Sequence, residues 1–173
     1  MPTSHHQSLA ALNGCARDVF VAALGGIFEH ALWVAEAAVE RRPFATVAAL
    51  HEAMVAAVTK AGEARQMELI RAHPDLGSKF ARADLTAASQ AEQGSLGLDQ
   101  LSEDEFTRFM ALNAVYRERF GFPFIICVRK QTQASILSAF ERRLKNHAVA
   151  ERAAALDEIA AITRLRLDAM ISS

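Results

Sequence analysis

Cysteine, tryptophan, tyrosine and proline are all scarce in this chain, and neither sign of charge is in excess. There are two cysteines, Cys15 and Cys127, one tryptophan, one tyrosine and four prolines. Two cysteines so far apart exclude a disulfide scaffold and fit a reducing compartment. Nineteen Lys and Arg stand against twenty Asp and Glu, a net charge of −1. That balance leaves no basic surplus to neutralise phosphates, which argues against nucleic acid as a partner. No apolar run approaches the ~18 residues of a membrane span. The N-terminus lacks a basic-then-apolar leader pattern, and Ile171-Ser172-Ser173 is not a peroxisomal tail, so the expected location is cytoplasmic. The motifs H-E-x-x-H, C-x-x-C and Gly-x-Ser-x-Gly and a phosphate-cradling glycine loop do not occur, so the sequence offers no metal or cofactor constellation.

What is abundant is alanine: 35 of 173 residues. Alanine is the best helix former and a poor strand former. With only eight glycines and 7% aromatics, the composition points to an all-α protein and away from a sandwich or barrel. The length suits a single compact domain over residues 1–173, large enough to fold around its own core.

Periodicity and punctuation divide the chain into about eight helices. Helices are expected at about Cys15 to Leu24, Ile27 to Glu40, Phe44 to Lys60 and Glu63 to Ala72, with breaks at Gly25-Gly26, Pro43, Gly62 and Pro74. Ser102 followed by Glu103-Asp104-Glu105 is an N-cap with acids in the first turn, opening a helix that Gly121 ends. Two more helices run from about Thr132 to Lys145 and from Val149 to Met170. Phe122 to Val128 is the one β-like apolar run, and it is read as a short buried extended segment. Arg117, Arg119, Arg142 and Arg143 are read as solvated helix faces.

Four places break the rule of apolar inside and polar outside. Met67, Ile70 and His73 share one helical face, so His73 points inward at a helix end fixed by Pro74. It is either a proton-transfer group working near neutral pH or a core histidine bonded to a carbonyl. Ser89-Gln90-Ala91-Glu92-Gln93 offers a hydroxyl, two amides and a carboxylate. That mixture suits a ligand rich in N–H and C=O groups, but Ser89 and Glu92 also have capping-box spacing. Phe120 to Ile126 is an extended run whose backbone groups need partners, from a ligand or from a covering loop. Arg166 lies on the stripe Ile159, Ile162, Arg166, Met170, where it needs an anionic partner unless it snorkels to solvent.

These segments, in this order and spacing, resemble the 2-oxo-4-hydroxy-4-carboxy-5-ureidoimidazoline (OHCU) decarboxylase family. The resemblance is carried by Ala72-His73-Pro74-Asp75-Leu76-Gly77, Ser89-Gln90-Ala91-Glu92-Gln93 and Phe120-Gly121-Phe122-Pro123-Phe124-Ile125. Leu12-Asn13, Phe28 to Val34 and Arg166-Leu167 extend it to nearly the whole chain. Two peripheral departures are Gly94 to Leu98, where the family more often has a small residue before Gly-Leu, and Ala31-Leu32, where Ser-Pro is common.

The resemblance implies a helical homodimer without a cofactor, acting on a small ureidoimidazoline in urate breakdown and giving (S)-allantoin. It implies His73 as the catalytic acid/base, with Glu92 and Arg166 beside it. It implies that Pro74, Ser89, Gln90, Ala91, Glu92 and Gln93, with the backbone of Phe124, Ile125, Ile126, Cys127 and Val128, hold the substrate. A same-fold enzyme for a related ureide or imidazolone acid, or a non-catalytic helical adaptor, are the alternatives.

Overall fold

The computed structural model describes residues 7–76 and 102–172. Eight α-helices occur among the described residues: α1 Leu9–Gly14, α2 Arg17–Leu24, α3 Leu32–Val39, α4 Val47–Lys60, α5 Gly62–Arg71, α6 Glu103–Phe120, α7 Gln133–Arg143 and α8 Ala148–Met170. A 3₁₀ turn covers Val128–Lys130. The all-α expectation holds, with one small addition: β1 (Gln7–Ser8) pairs in parallel with β2 (Ile171–Ser172). No described helix is long and apolar enough to cross a membrane.

The chain falls into two compact units, residues 1–69 with 160–173, and residues 70–159. In the first, α2, α3 and α4 bury Phe20, Leu24, Val34, Ala35, Ala38, Leu50 and Met54. The alanines of α3 leave room for neighbouring helices to approach, and α3 is the element that meets both α2 and α4. Helix ends are closed by side chains. Ser8 caps α1 and Thr46 caps α4, each accepting a first-turn N–H. The Arg42 guanidinium binds Val39 O, Leu12 O and Cys15 O, gathering carbonyls left over at the ends of α3 and α1. Asn13 holds the Phe44 backbone with two bonds of 2.8 Å. The helix expected from Ile27 starts only at Leu32. Residues 27–31 turn instead, with His30 at φ 51°, and Leu32 opens α3 after that turn.

In the second unit, α6 is the organising helix. Its capping box is complete: Ser102 Oγ accepts the Glu105 N–H and Glu105 accepts the Ser102 N–H. Phe109, Asn113, Tyr116 and Phe120 form its buried stripe. Tyr116 packs its ring among Phe120, Phe122, Phe124 and Phe140, with centroids 4.7 to 6.3 Å apart. Gly121 ends α6 at φ 75°, a left-handed position that a side chain would strain. The chain then runs through 122–127 outside any helix or ladder, and its apolar side chains there are buried.

Candidate active site

His73 sits just past the end of α5, buried to 6% exposure, its N–H bonded to Ile70 O at 3.2 Å. Pro74 bars continuation of the helix. Three side-chain bonds tie this region to α6 and its cap, one from the end of α5 and two to the turn that follows Pro74. Arg71 Nε donates to Gly121 O at 3.2 Å, Arg117 Nη2 donates to Asp75 Oδ1 at 2.8 Å, and Asn113 Nδ2 donates to Leu76 O at 2.7 Å. The exposed Arg117–Asp75 pair adds little energy by itself, but the buried Asn113 bond fixes the turn's direction. These bonds fix the backbone on either side of His73.

The 122–128 segment also hangs from charged side chains. Arg143 Nη1 donates to Ile125 O at 2.5 Å, and the Cys127 N–H donates to Glu158 Oε2 at 2.7 Å. The expectation of a solvated Arg143 is corrected here. Arg143 is 4% exposed, lies 4.4 Å from the centroid of the Phe124 ring, and pairs with Glu151 at 2.6 Å. The reason is its position three residues after Phe140 on the buried stripe of α7. Glu151, fully buried, also accepts from Tyr116 Oη at 2.5 Å and Asn146 Nδ2 at 2.9 Å. Burial, then the bond to Glu151, pushes the Tyr116 phenol far above its usual range, so it stays a neutral donor.

In the other unit, Arg166 is buried, and of its two readings the structure gives the paired one: among the described residues Glu29 is an anionic partner. Arg166 Nη1 bonds Glu29 Oε2 and Ile27 O, both at 3.1 Å, with the two side chains 7% and 1% exposed. The 27–31 turn that replaces the first expected turn of α3 is what delivers Glu29 to this arginine. The expected ligand segment Ser89 to Gln93, Glu92 included, lies outside the described residues. Glu29, Glu151, Glu158 and Asn113 hold these groups within their own units, and sequence reasoning assigns none of them a role. For Glu151 a signal exists, since Glu151, Ala155, Ile159, Ile162 and Arg166 follow one helical stripe. No group of three or more potential metal ligands occurs among the described residues.

The described residues form an all-α fold, with a buried histidine past a helix end in one unit and a buried arginine–carboxylate pair in the other. Comparison with known proteins gives that fold a family. The model of the OHCU decarboxylase family matches residues 13–168. The 2-oxo-4-hydroxy-4-carboxy-5-ureidoimidazoline decarboxylase of Haloferax volcanii is 45% identical over 169 residues, 98% of this chain and 99% of its own. A crystal structure of (S)-allantoin synthase superposes with a TM-score of 0.79 at 31% identity, over 96% of this chain. This chain covers 54% of that structure, about half its length. A crystal structure of OHCU decarboxylase in the presence of (S)-allantoin, 21% identical, shares the fold at a TM-score of 0.60 over 88% of this chain and 96% of its own. The chain belongs to the OHCU decarboxylase family.

Proposed function

We propose that this protein decarboxylates 2-oxo-4-hydroxy-4-carboxy-5-ureidoimidazoline to (S)-allantoin, with His73 as its acid/base. The observation that carries this reading is the family match across residues 13–168, which spans every described site element from Glu29 to Arg166.

The chemistry suits the residues. Loss of CO₂ leaves an electron pair on the ring carbon that bore the carboxylate, and the conjugated imidazoline C=N can accept it. The substrate thus carries its own electron sink, and no added cofactor is called for. The protein's tasks are to hold the carboxylate out of the ring plane, to move the proton of the hydroxyl, and to protonate one ring face. His73 is assigned the hydroxyl proton, Glu92 the orientation of His73, and Arg166 the binding of Glu92 or of the substrate carboxylate. Pro74, Ser89 to Gln93 and the backbone of Phe124 to Val128 read the ureido and ring amides. One positioned proton transfer supplies roughly 10²–10⁴-fold, and positioning supplies several kcal/mol more.

In this reading residues 1–173 work as one functional domain, in the cytoplasm, as a homodimer. Cys15 and Cys127 stand as thiols outside any disulfide, which supports the location. The dimer rests on the family resemblance, and light scattering of the purified protein tests it.

The test of function supplies urate with uricase and hydroxyisourate hydrolase and follows decay of the ureidoimidazoline and the handedness of the allantoin. Faster decay with an S excess that needs this protein is expected, and the spontaneous rate with racemic product overturns the reading. His73→Asn is expected to abolish the acceleration with the helical circular dichroism unchanged. A fully active His73→Asn removes His73 from the mechanism.

A further inference from the structure

Ile125 and Cys127 stand two residues apart, and each gives a backbone group to a charged side chain: Ile125 O to Arg143 and Cys127 N–H to Glu158. In an extended chain, the N–H and C=O of one residue face one edge and those of the next face the other. Cys127 is extended, at φ −73° and ψ 90°, and the residues before it lie outside any helix, so the Ile125 and Cys127 groups mark one edge as the side held by charged side chains. We propose that Arg143 and Glu158 are positioning residues that fix this edge, so that the opposite edge, the backbone of Phe124 and Ile126, is presented to a planar ligand of alternating N–H and C=O groups. The inference deepens the proposed function and rests on it for the identity of that ligand as a ureidoimidazoline.

The anchors are built for precision. Hydrogen bonds to ionised groups are shorter and stronger than neutral ones. Arg143 is itself locked, by Glu151 at 2.6 Å and by the Phe124 ring beneath its guanidinium. Glu151 is locked in turn by Tyr116 and Asn146. Glu158 reaches the segment from the middle of α8, a rigid element. The ring stack of Phe124 on Phe140, centroids 3.7 Å apart, keeps the segment from rolling about its own axis. A segment so held can offer a fixed backbone edge to one more partner, as sheet edges do to added strands.

Glu158 carries the test, because it is half-buried and its loss leaves the buried Arg143–Glu151 pair intact. Glu158→Ala is expected to raise KM by about ten-fold or more through lost preorganisation, with a melting temperature and kcat pH profile close to the parent's. Glu158→Gln, whose amide oxygen still accepts the Cys127 N–H, is expected to restore KM to within about three-fold. An unchanged KM in Glu158→Ala overturns the proposal, and so does an equal loss in the alanine and glutamine variants. A second readout does not depend on turnover. By hydrogen exchange in the parent protein, adding (S)-allantoin is expected to slow the Ile126 amide and leave the Cys127 amide unchanged. Glu158→Ala is expected to speed Cys127 exchange. Protection gained at Cys127 and not at Ile126 overturns the edge assignment. If the parent fails to turn over the ureidoimidazoline while Ile126 is protected as expected, the proposed function fails and the positioning assignment stands.

Discussion

Arg143 and Glu151 form an ion pair 2.6 Å long with side chains 5% and 0% exposed, and it joins the end of α7 to the first turn of α8. A charge in such a place is tolerable only while its partner remains. Glu151→Ala leaves the Arg143 guanidinium buried without its carboxylate, and also strips the acceptor from Tyr116 and Asn146. The expected loss is about 3–5 kcal/mol. Urea unfolding midpoints measure it. Replacing both members with apolar residues of similar volume is expected to cost less than the two single losses together, because no unpaired charge remains.

Tyr116 is the chain's one tyrosine, so its ionisation can be watched alone through the ultraviolet absorbance of phenolate. Its phenol titrates higher in the folded protein than in the unfolded chain, because burial and the Glu151 carboxylate both oppose a second negative charge. Above the ordinary tyrosine pKa of about 10, the unfolded chain has lost a proton that the folded protein retains, so stability falls as pH rises. Phenolate absorbance is expected to appear together with loss of helical signal, not before it. Tyr116→Phe removes this alkaline slope, and at neutral pH costs about 1–3 kcal/mol for the donor Glu151 loses.

Much of the fold can be read from caps and breakers because these act locally. Ser102 with Glu105, Gly121 and Thr132 each set a helix boundary where expected, since the deciding bond lies within three or four residues. The 27–31 turn is not legible: its helix-forming composition is overridden where Glu29 is drawn to Arg166, more than a hundred residues away in the chain. His73 and Arg166 stand out because each interrupts an apolar stripe. Arg143 does not, because it neighbours Arg142, and two adjacent arginines read as solvated even though one of them continues the face of Ile136 and Phe140. Glu158 has no signal in the chain. Its contact depends on a backbone N–H presented by a distant segment, and no residue pattern encodes that.

Arg166 Nη1 serves a carboxylate and a carbonyl at once, Glu29 Oε2 and Ile27 O. Lysine keeps the charge but lacks the planar fork. In the proposed enzyme Arg166→Lys is expected to lower kcat at least about ten-fold, with a smaller change in KM. Glu29→Gln, which weakens the hold on the same guanidinium, is expected to lower kcat less. If the two act through one group, the double variant is no slower than Arg166→Lys alone. Steady-state kinetics on the four proteins decides this, and fully multiplicative losses contradict a shared role.

His51 on α4 meets Thr163 on α8 at 3.0 Å. The Thr163 hydroxyl is also within donating distance of Ala160 O, at 3.1 Å, and when it donates there it accepts from the His51 Nε2–H of the neutral ring. Burial first, and the nearby Arg164 second, hold the His51 pKa below its ordinary 6.5, against opposing pulls from the Ala160 backbone, Asp168 and Glu52. A depressed histidine pKa means that, as pH falls below about 6.5, the unfolded chain takes up a proton before the folded protein does. The stability this neutral contact contributes is therefore complete above that pH and declines as pH drops toward the folded-state pKa. The parent is expected to lose melting temperature between about pH 7 and pH 5 more steeply than His51→Gln, which cannot titrate and can still donate to Thr163. Calorimetric scans across that range check the difference. Parallel curves for the two proteins assign the acid slope to other groups, whereas a flatter variant assigns it to the ring that joins these two helices.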